Sequence, residues 1–181
     1  MEEKDKQIII QNLCLYFFIC SFIGCVCEIL YAFYVEKTFV KRGFLYGIAC
    51  PIYGFGAVML IIINDLISKK TNSILFKMII MAMVFTAFEY LVSLVFELIF
   101  GIRWWDYSNE FLNLHGRICL QFSILWGIAG GIFIQFIYKP MQKLIKKIRN
   151  KVSNKVINIV LVFLTVIMSI DFVLSIFKYL K

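Results

Sequence analysis

Five long apolar runs constrain the fold of this chain more than any other feature. They extend over residues 8–34, 46–67, 74–100, 117–138 and 156–177. Each is long enough to cross the hydrocarbon core of a bilayer, which takes about 20 apolar residues in a helix. Backbone polar groups in lipid must pair internally, and no run shows the alternating pattern of a membrane barrel. The sequence therefore predicts an all-α, polytopic transmembrane helix bundle of about five membrane-spanning helices.

The composition excludes a water-soluble fold. Hydrophobic residues make up 62% of the 181 residues, whereas about 45–50% is usual in soluble domains. The length suits a single integral membrane domain over residues 1–181. Cysteines lie mostly inside the apolar runs, where an unpaired thiol packs as a small hydrophobe. His115 is the only histidine, which excludes a multi-histidine metal site within the chain, and we expect no metal and no cofactor.

Positive charges lie between the apolar runs, which is a membrane-topology pattern and not that of a nucleic-acid-binding surface. Of the 19 Lys and Arg residues, 12 fall on the amino-terminal side of a five-helix path and seven on the other side. Because cytoplasmic loops carry more positive charge, we expect the amino terminus in the cytoplasm and the carboxyl terminus outside. The basic segment 139–155 can form an amphipathic helix suited to the anionic cytoplasmic leaflet or to docking of a cytoplasmic partner.

Glu28, Glu89, Glu97 and Asp171 are acidic residues within the apolar runs. Each costs at least about 2.5 kcal/mol to insert, so each calls for a partner or a water-filled cavity. In the predicted orientation all four lie at or above the bilayer midplane, towards the outside. Glu89, Ser93 and Glu97 recur every four residues, so we expect one polar stripe that faces protein or water.

The segment 101–116 adds aromatic and charged residues beside this stripe, beginning with Arg103 and Trp104. An interfacial aromatic belt would explain its tryptophans but not the neighbouring charges. A structural ion pair of Arg117 with Glu97 or Asp106 is a second interpretation, and a binding site is a third. In each case these residues should face the helix bundle and not lipid.

Several separated motifs are similar to those of one known family. They are KRGFLYG at 41–47, CPIYGFG at 50–56, FEY at 88–90, WWDYS at 104–108, Asn113 with GRICL at 116–120, and WG at 126–127. Together they resemble the ABC-transporter type IV family, also called CmpB-like permeases. The resemblance covers about residues 10–140, and the basic segment 139–155 and a further helix at about 156–178 lie outside it.

The resemblance implies a permease-like subunit in the bacterial cytoplasmic membrane. The chain contains no GxxxxGK[ST] phosphate loop, so ATP hydrolysis would require a separate cytoplasmic ATPase subunit. Five helices leave a small cavity in one chain, so we expect a transport path to need a homodimer or a larger complex. We expect the lipid bilayer as the surrounding partner and no nucleic acid.

Two functional hypotheses follow, with a small accessory membrane protein as a third. The first is a permease subunit whose polar cavity opens to the extracytoplasmic side and binds a substrate or lipid head group. Its candidate binding residues are Glu28, Arg42, Tyr46, Tyr53, Glu89, Glu97, Trp105, Asp106, Tyr107, Asn113 and Arg117. The alternative is a membrane-embedded enzyme acting on a lipid-linked or cell-envelope substrate at the outer leaflet. In that enzyme Glu89 or Asp106 would be the catalytic base and Arg117 would bind an anion.

Overall fold

The computed structural model describes residues 3–37 and 43–180, and it consists of helices joined by short connections. The helices are α1 (Glu3–Glu36), α2 (Pro51–Ser68), α3 (Ile74–Phe100), α4 (Leu120–Ile132), α5 (Tyr138–Lys151) and α6 (Asn154–Tyr179), with a π-helical turn at Phe133–Ile137. Helices account for 79% of the described residues, and these ranges contain no β-strand. The all-α prediction is therefore confirmed.

Five of the described segments are long and apolar enough to cross a membrane. They are Asp5–Tyr34, Pro51–Ser68, Ile74–Phe100, Leu120–Lys151 and Asn154–Tyr179. The fourth is continuous through α4, the π-helical turn and α5, so the six helices make five candidate spans. This number agrees with the five apolar runs in the sequence.

Helix α3 has the bounds that its apolar run predicts, because local residues cap both ends. Ser73 lies at the amino-terminal cap, where its hydroxyl accepts a hydrogen bond from the Phe76 N–H at 3.3 Å. Gly101 ends the helix with a positive φ of 67° and donates its N–H to the Glu97 carbonyl at 2.8 Å. A left-handed residue at this position is a common helix terminator, and glycine adopts it without steric cost.

Helix α2 begins later than expected, at Pro51 instead of Tyr46. The Asp171 carboxylate accepts the N–H of Tyr46 at 2.8 Å and that of Gly47 at 2.7 Å, which holds both residues outside the helix. Gly47 has no room for a side chain, since a Cβ would lie 2.7 Å from Asp171 Oδ2. Proline suits the first helical position because the N–H that it lacks has no partner there.

Helix α4 also begins later than predicted, at Leu120 and not at Arg117. The chain before it turns at Gly116, whose φ is 67°. Leu114 then pairs with Ile118 in an isolated antiparallel bridge, with the Leu114 N–H 2.9 Å from the Ile118 carbonyl. Residues 115–117 therefore form a tight turn between the bridged residues Leu114 and Ile118, and this segment is not helical.

The chain divides into two compact units. The first unit contains residues 1–59 and 141–181, and the second unit contains residues 60–140. Both boundaries fall inside helices, one in α2 and one in α5. The expectation of a single domain stays a prediction.

Within the first unit, the basic segment forms the amphipathic helix α5. Met141 and Ile145 are buried, whereas its lysines are exposed, namely Lys143, Lys146, Lys147 and Lys151. The Cys20 thiol of α1 lies 3.9 Å from Met141 Sδ. At the other end of α5, Arg149 donates to the Asn12 side chain at 2.6 Å and to the Ile8 carbonyl at 3.1 Å. Contacts at both ends therefore hold α5 against α1.

Within the second unit, α3 and α4 approach each other closely at two glycines. A Cβ added to Gly127 would lie 2.8 Å from the Met78 carbonyl oxygen, and one added to Gly131 would lie 2.8 Å from Met78 Cγ. Small residues four apart allow helix backbones to approach in membranes. The two glycines therefore allow α3 and α4 to pack closely.

Candidate functional site

The second unit contains a group of charged and hydrogen-bonded side chains that joins α3 to the 101–119 loop and to α4. We call it the α3 polar cluster; its members are Glu89, Ser93, Glu97, Arg103, Tyr107, Arg117 and Trp126. Glu89 and Ser93 are buried and Glu97 is half-buried. The predicted stripe on α3 therefore faces protein at its first two positions.

Glu89 connects three parts of the second unit through its two carboxylate oxygens. Its side chain lies on α3 and is only 7% exposed. Oε1 accepts a hydrogen bond from the Tyr107 hydroxyl at 3.1 Å, and Oε2 accepts one from the Trp126 indole at 3.0 Å. The ring of Tyr107 stacks on Phe122 with centroids 4.6 Å apart. Glu89 thus connects the 101–119 loop and α4 to α3 through hydrogen bonds. Each of its carboxylate oxygens accepts one hydrogen bond from a protein side chain.

Arg117 is the buried cation of the α3 polar cluster, with 8% of the residue exposed. Its guanidinium forms an ion pair with Glu97 and donates to the Ser93 hydroxyl at 3.2 Å. The guanidinium carbon also lies 5.9 Å from the centre of the Tyr90 ring. The Trp105 indole donates to the Arg117 carbonyl at 2.9 Å. Of the two partners considered for a structural ion pair with Arg117, the structure has Glu97.

Glu97 pairs with a second arginine at the more exposed edge of the cluster. Arg103 Nε lies 3.0 Å from Glu97 Oε1, and the side chains of Arg103 and Glu97 are 37% and 30% exposed. One carboxylate therefore joins a buried arginine, Arg117, to a solvent-accessible one.

The Asp106 carboxylate is hydrogen-bonded within its own loop, and it is not the ion-pair partner of Arg117. Its Oδ1 accepts hydrogen bonds from the Ser108 N–H at 2.9 Å and from the Ser108 hydroxyl at 2.5 Å. These two hydrogen bonds, with a further contribution from the Arg103 charge, hold the pKa of Asp106 below its usual range. A carboxylate with a lowered pKa is a weak proton acceptor at neutral pH.

The Tyr107 hydroxyl is held in its protonated form. Partial burial is the main cause that raises its pKa, and the nearby Glu89 carboxylate adds to the effect. Both causes disfavour the phenolate, because it would be a second negative charge beside Glu89. Tyr107 therefore acts as a stable hydrogen-bond donor to Glu89.

Two further polar residues of the loop make contacts that shape it. The side-chain amide of Asn113 donates to the carbonyls of Ser108 and Glu110 at 3.0 and 3.1 Å. Its oxygen accepts the Gly116 N–H at 3.1 Å. His115 has a positive φ of 55° and places Nδ1 2.8 Å from the Tyr90 hydroxyl on α3. Asn113 therefore stabilises the turn, and His115 adds another contact to α3.

Three of the predicted binding residues are described in the first unit. Glu28 on α1 is hydrogen-bonded to the hydroxyl of Tyr53 on α2. Tyr46 donates its N–H to Asp171, and its ring lies 5.0 Å from the Lys178 ammonium. The remaining candidate, Arg42, lies outside the described residues.

The sequence interpretation missed two interactions of buried polar groups. Lys77 in the first turn of α3 is only 8% exposed and donates to Asn64 Oδ1 at 3.0 Å and Ser68 Oγ at 2.6 Å. Its position one turn inside an apolar run was the available signal. The contact of Trp126 with Glu89 had no local signal, because 37 residues separate them.

Comparison with known proteins identifies one family. The family model described as "Putative ABC-transporter type IV" matches residues 15–176. No curated protein matches the chain, and no solved structure matches it. The family match reaches further along the chain than the sequence motifs do and includes α5 and most of α6. This multi-pass membrane chain therefore belongs to the ABC-transporter type IV family.

Proposed function

We propose that the chain is the permease-like membrane subunit of an ABC transporter in the bacterial cytoplasmic membrane. The observation that carries the proposal is the family match over residues 15–176 of a chain with five candidate spans. ATP hydrolysis would come from a separate cytoplasmic subunit, because the sequence has no phosphate loop. A second copy or a larger complex would complete the transport path.

The substrate-facing side of this subunit would be the extracytoplasmic one, with the amino terminus in the cytoplasm. The distribution of positive charge supports this orientation. In this orientation the α3 polar cluster lies towards the outer leaflet, with Glu97 and Arg103 at its more exposed edge and the exposed Asp106 in the same loop as Arg103. An edge with both signs of charge suits a polar substrate or a zwitterionic lipid head group. The buried part, around Glu89 and Arg117, would position this edge.

An outer-leaflet enzyme remains a prediction, and the contacts of its candidate residues do not favour it. Both oxygens of Glu89 have protein donors, and Arg117 is engaged by Glu97 and Ser93. A catalytic base has to reach the proton that it removes, and an anion-binding arginine has to reach its substrate. Asp106 has a lowered pKa, which makes it a weak base.

The surface that would receive the ATPase subunit is the exposed face of α5. Lys143, Lys147 and Lys151 recur every four residues and therefore form one stripe. The opposite face holds the buried Met141 and Ile145. Because both ends of α5 are held against α1, the stripe is a well-positioned basic surface for an acidic partner. Such charge complementarity raises the association rate and selects the partner.

Charge reversal on α5 tests this proposal. The double variant Lys143→Glu/Lys147→Glu should lower the amount of ATPase that co-purifies in mild detergent at least several-fold, because two attractive charges become repulsive. The matched control is Lys69→Glu/Lys70→Glu, which makes the same charge change in the connection between α2 and α3. Quantitative mass spectrometry of the purified material measures the ratio.

The control also tests whether the ATPase docks at the α2–α3 connection, which lies on the same predicted side of the membrane as α5. Loss of the ATPase with the Lys69→Glu/Lys70→Glu variant alone would place docking at the α2–α3 connection and contradict the assignment to α5. Equal ATPase recovery with both variants would likewise contradict a basic docking surface on α5.

A further inference from the structure

The first unit contains an open groove between α1 and α6, with a volume of about 920 Å³. Its lining residues come from one face of each helix: Lys6, Gln7, Ile10, Gln11, Cys14, Asn158, Leu161, Val162, Thr165 and Val166. Ligand pockets commonly have volumes of about 300–1,000 Å³. The groove is therefore large enough for a ligand, and it lies apart from the α3 polar cluster in the chain.

Polarity changes along the groove from one end to the other. Lys6, Gln7, Gln11 and Asn158 line the end near the helix amino termini. Both helices continue away from that end, and the lining residues beyond Gln11 and Asn158 are mainly apolar, namely Cys14, Leu161, Val162 and Val166. Ile10 adds an apolar side chain between Gln7 and Gln11. Ile10 and Val162 are 61% and 62% exposed, so this chain itself leaves the apolar walls uncovered. A molecule with one polar end and one apolar end matches this gradient.

The length of the groove matches one leaflet of a bilayer. On α1 the lining residues extend from Lys6 to Cys14, and on α6 they extend from Asn158 to Val166. Each stretch rises by about 12 Å along its helix. The hydrocarbon layer of one leaflet is about 15 Å thick. An acyl chain lying along the groove would therefore be covered over most of its depth in that leaflet.

The polar end of the groove carries positive charge. Lys6 lines it directly, and Arg149 of α5 donates to the side chain of Gln11 at 2.9 Å. Gln11 in turn donates to Asn158 at 2.6 Å, so the polar groups at this end form a connected network. The neighbouring Asp5 is exposed but is not a lining residue. This arrangement favours a negatively charged head group.

We propose that the α1–α6 groove is a binding site for an anionic phospholipid of the leaflet on the amino-terminal side. The phosphate lies beside Lys6, Gln7 and Asn158, and one acyl chain extends past Ile10 towards Val166. In the predicted orientation this is the cytoplasmic leaflet. The site goes beyond the proposed transport function and does not depend on it.

Photo-crosslinking in nanodiscs tests the site directly. The full chain is placed in phosphatidylcholine nanodiscs that contain a small fraction of phosphatidylglycerol with a diazirine on its acyl chain. After illumination, mass spectrometry should locate lipid adducts on residues 10–14 and 161–166. Excess phosphatidylglycerol should remove these adducts several-fold more effectively than the same excess of phosphatidylcholine.

Two variants and their matched controls make the result specific. Lys6→Glu should lower the adduct yield several-fold by repelling the head group, whereas Lys70→Glu, the same change far away in the sequence, should not. Val162→Trp should lower it by filling the apolar end, whereas Val160→Trp, on α6 but outside the groove, should not. Equal yields in all four variants would overturn the proposal. Equally effective competition by the two lipids, or a protein–protein adduct without lipid in the groove, would overturn it as well.

Discussion

Glu89 and Arg117 of the α3 polar cluster both make several contacts with other side chains of the protein. Glu89 accepts one hydrogen bond on each oxygen, and Arg117 contacts Glu97, Ser93 and the Tyr90 ring. A buried charge is tolerated when it is paired and hydrogen-bonded, as Arg117 is, and a hydrogen bond to each oxygen lowers the cost of burying the carboxyl group of Glu89. These contacts account for charged groups inside an apolar run without requiring a catalytic role for them.

The two arginines that share Glu97 should differ strongly in their contribution to stability. Arg117 has a side chain that is 10% exposed, whereas that of Arg103 is 37% exposed. Arg117→Ala removes a buried side chain with its contacts to Glu97, Ser93 and Tyr90, whereas Arg103→Ala removes only an exposed pair, and exposed pairs contribute little. Arg117→Ala should therefore lower the unfolding midpoint in detergent several times more than Arg103→Ala, as measured by thermal denaturation.

Measurements of stability and of function together also distinguish a structural role of these residues from a catalytic one. Equal, small effects of both substitutions on stability would show that Arg117 does not hold the loop. If Arg117→Ala and Glu89→Gln instead abolished function while the protein accumulated and unfolded normally, the enzyme hypothesis would be favoured. Loss of accumulation would agree with a structural ion network.

The sequence predicted the stripe of Glu89, Ser93 and Glu97 because helical spacing alone places these residues on one face. It also offered the Arg117–Glu97 pair as one of two alternatives. It could not choose between Glu97 and Asp106, because the turn at Gly116 and the Ser108 contacts of Asp106 decide that choice. The residue spacing thus predicts which face of α3 is polar, whereas the loop conformation determines which carboxylate pairs with Arg117.

Helix ends could be predicted where neighbouring residues determine them, but not where a distant residue does. Both ends of α3 were predicted correctly, because Ser73 and Gly101 are adjacent capping residues. The start of α2 was predicted wrongly, because Asp171 lies 125 residues beyond Tyr46 in the chain. Only the fold brings that carboxylate to the Tyr46 N–H. A window of neighbouring residues contains no sign of the contact.

The contact between α3 and α4 depends on what each glycine faces. Gly127 faces the Met78 backbone carbonyl at 2.8 Å, whereas Gly131 faces the Met78 side chain. A side chain can move aside, but a backbone carbonyl moves only with its helix. Gly127→Ala should therefore destabilise the protein by about 1–3 kcal/mol, as is typical of overpacking. Gly131→Ala should cost less.

Unfolding in mixed detergent micelles measures both variants against the wild-type chain. The comparison is matched, since each variant adds one methyl group to the same helix. A larger loss of stability for Gly131→Ala than for Gly127→Ala would contradict the packing described for α3 and α4.

For the whole molecule, the number of candidate spans could be predicted, since length and apolarity are properties of each run by itself. The membrane orientation rests on the distribution of 19 positive residues and is a prediction of the same kind. What the sequence could not give is the division into two compact units, whose boundaries fall inside α2 and α5. Such boundaries depend on contacts between distant segments and have no linker composition to mark them.

Reporter fusions test the orientation of the whole chain. A phosphatase that is active only outside the cytoplasm should be active when fused after residue 181 and inactive when fused within residues 139–155. The measurement is enzyme activity normalised to the amount of fusion protein. The reverse pattern of activity would place the α3 polar cluster towards the cytoplasm and contradict the proposed side of substrate binding.

The central claim is that this chain works as the membrane subunit of an ABC transporter. Its most direct test is purification of the wild-type chain from its own membrane in mild detergent, followed by mass spectrometry and an assay of ATP hydrolysis. We expect a co-purifying ATPase subunit in fixed proportion to the chain, with ATP hydrolysis in the same fraction. A chain that is purified without any ATPase, and that moves nothing when reconstituted from the same fraction, would contradict it.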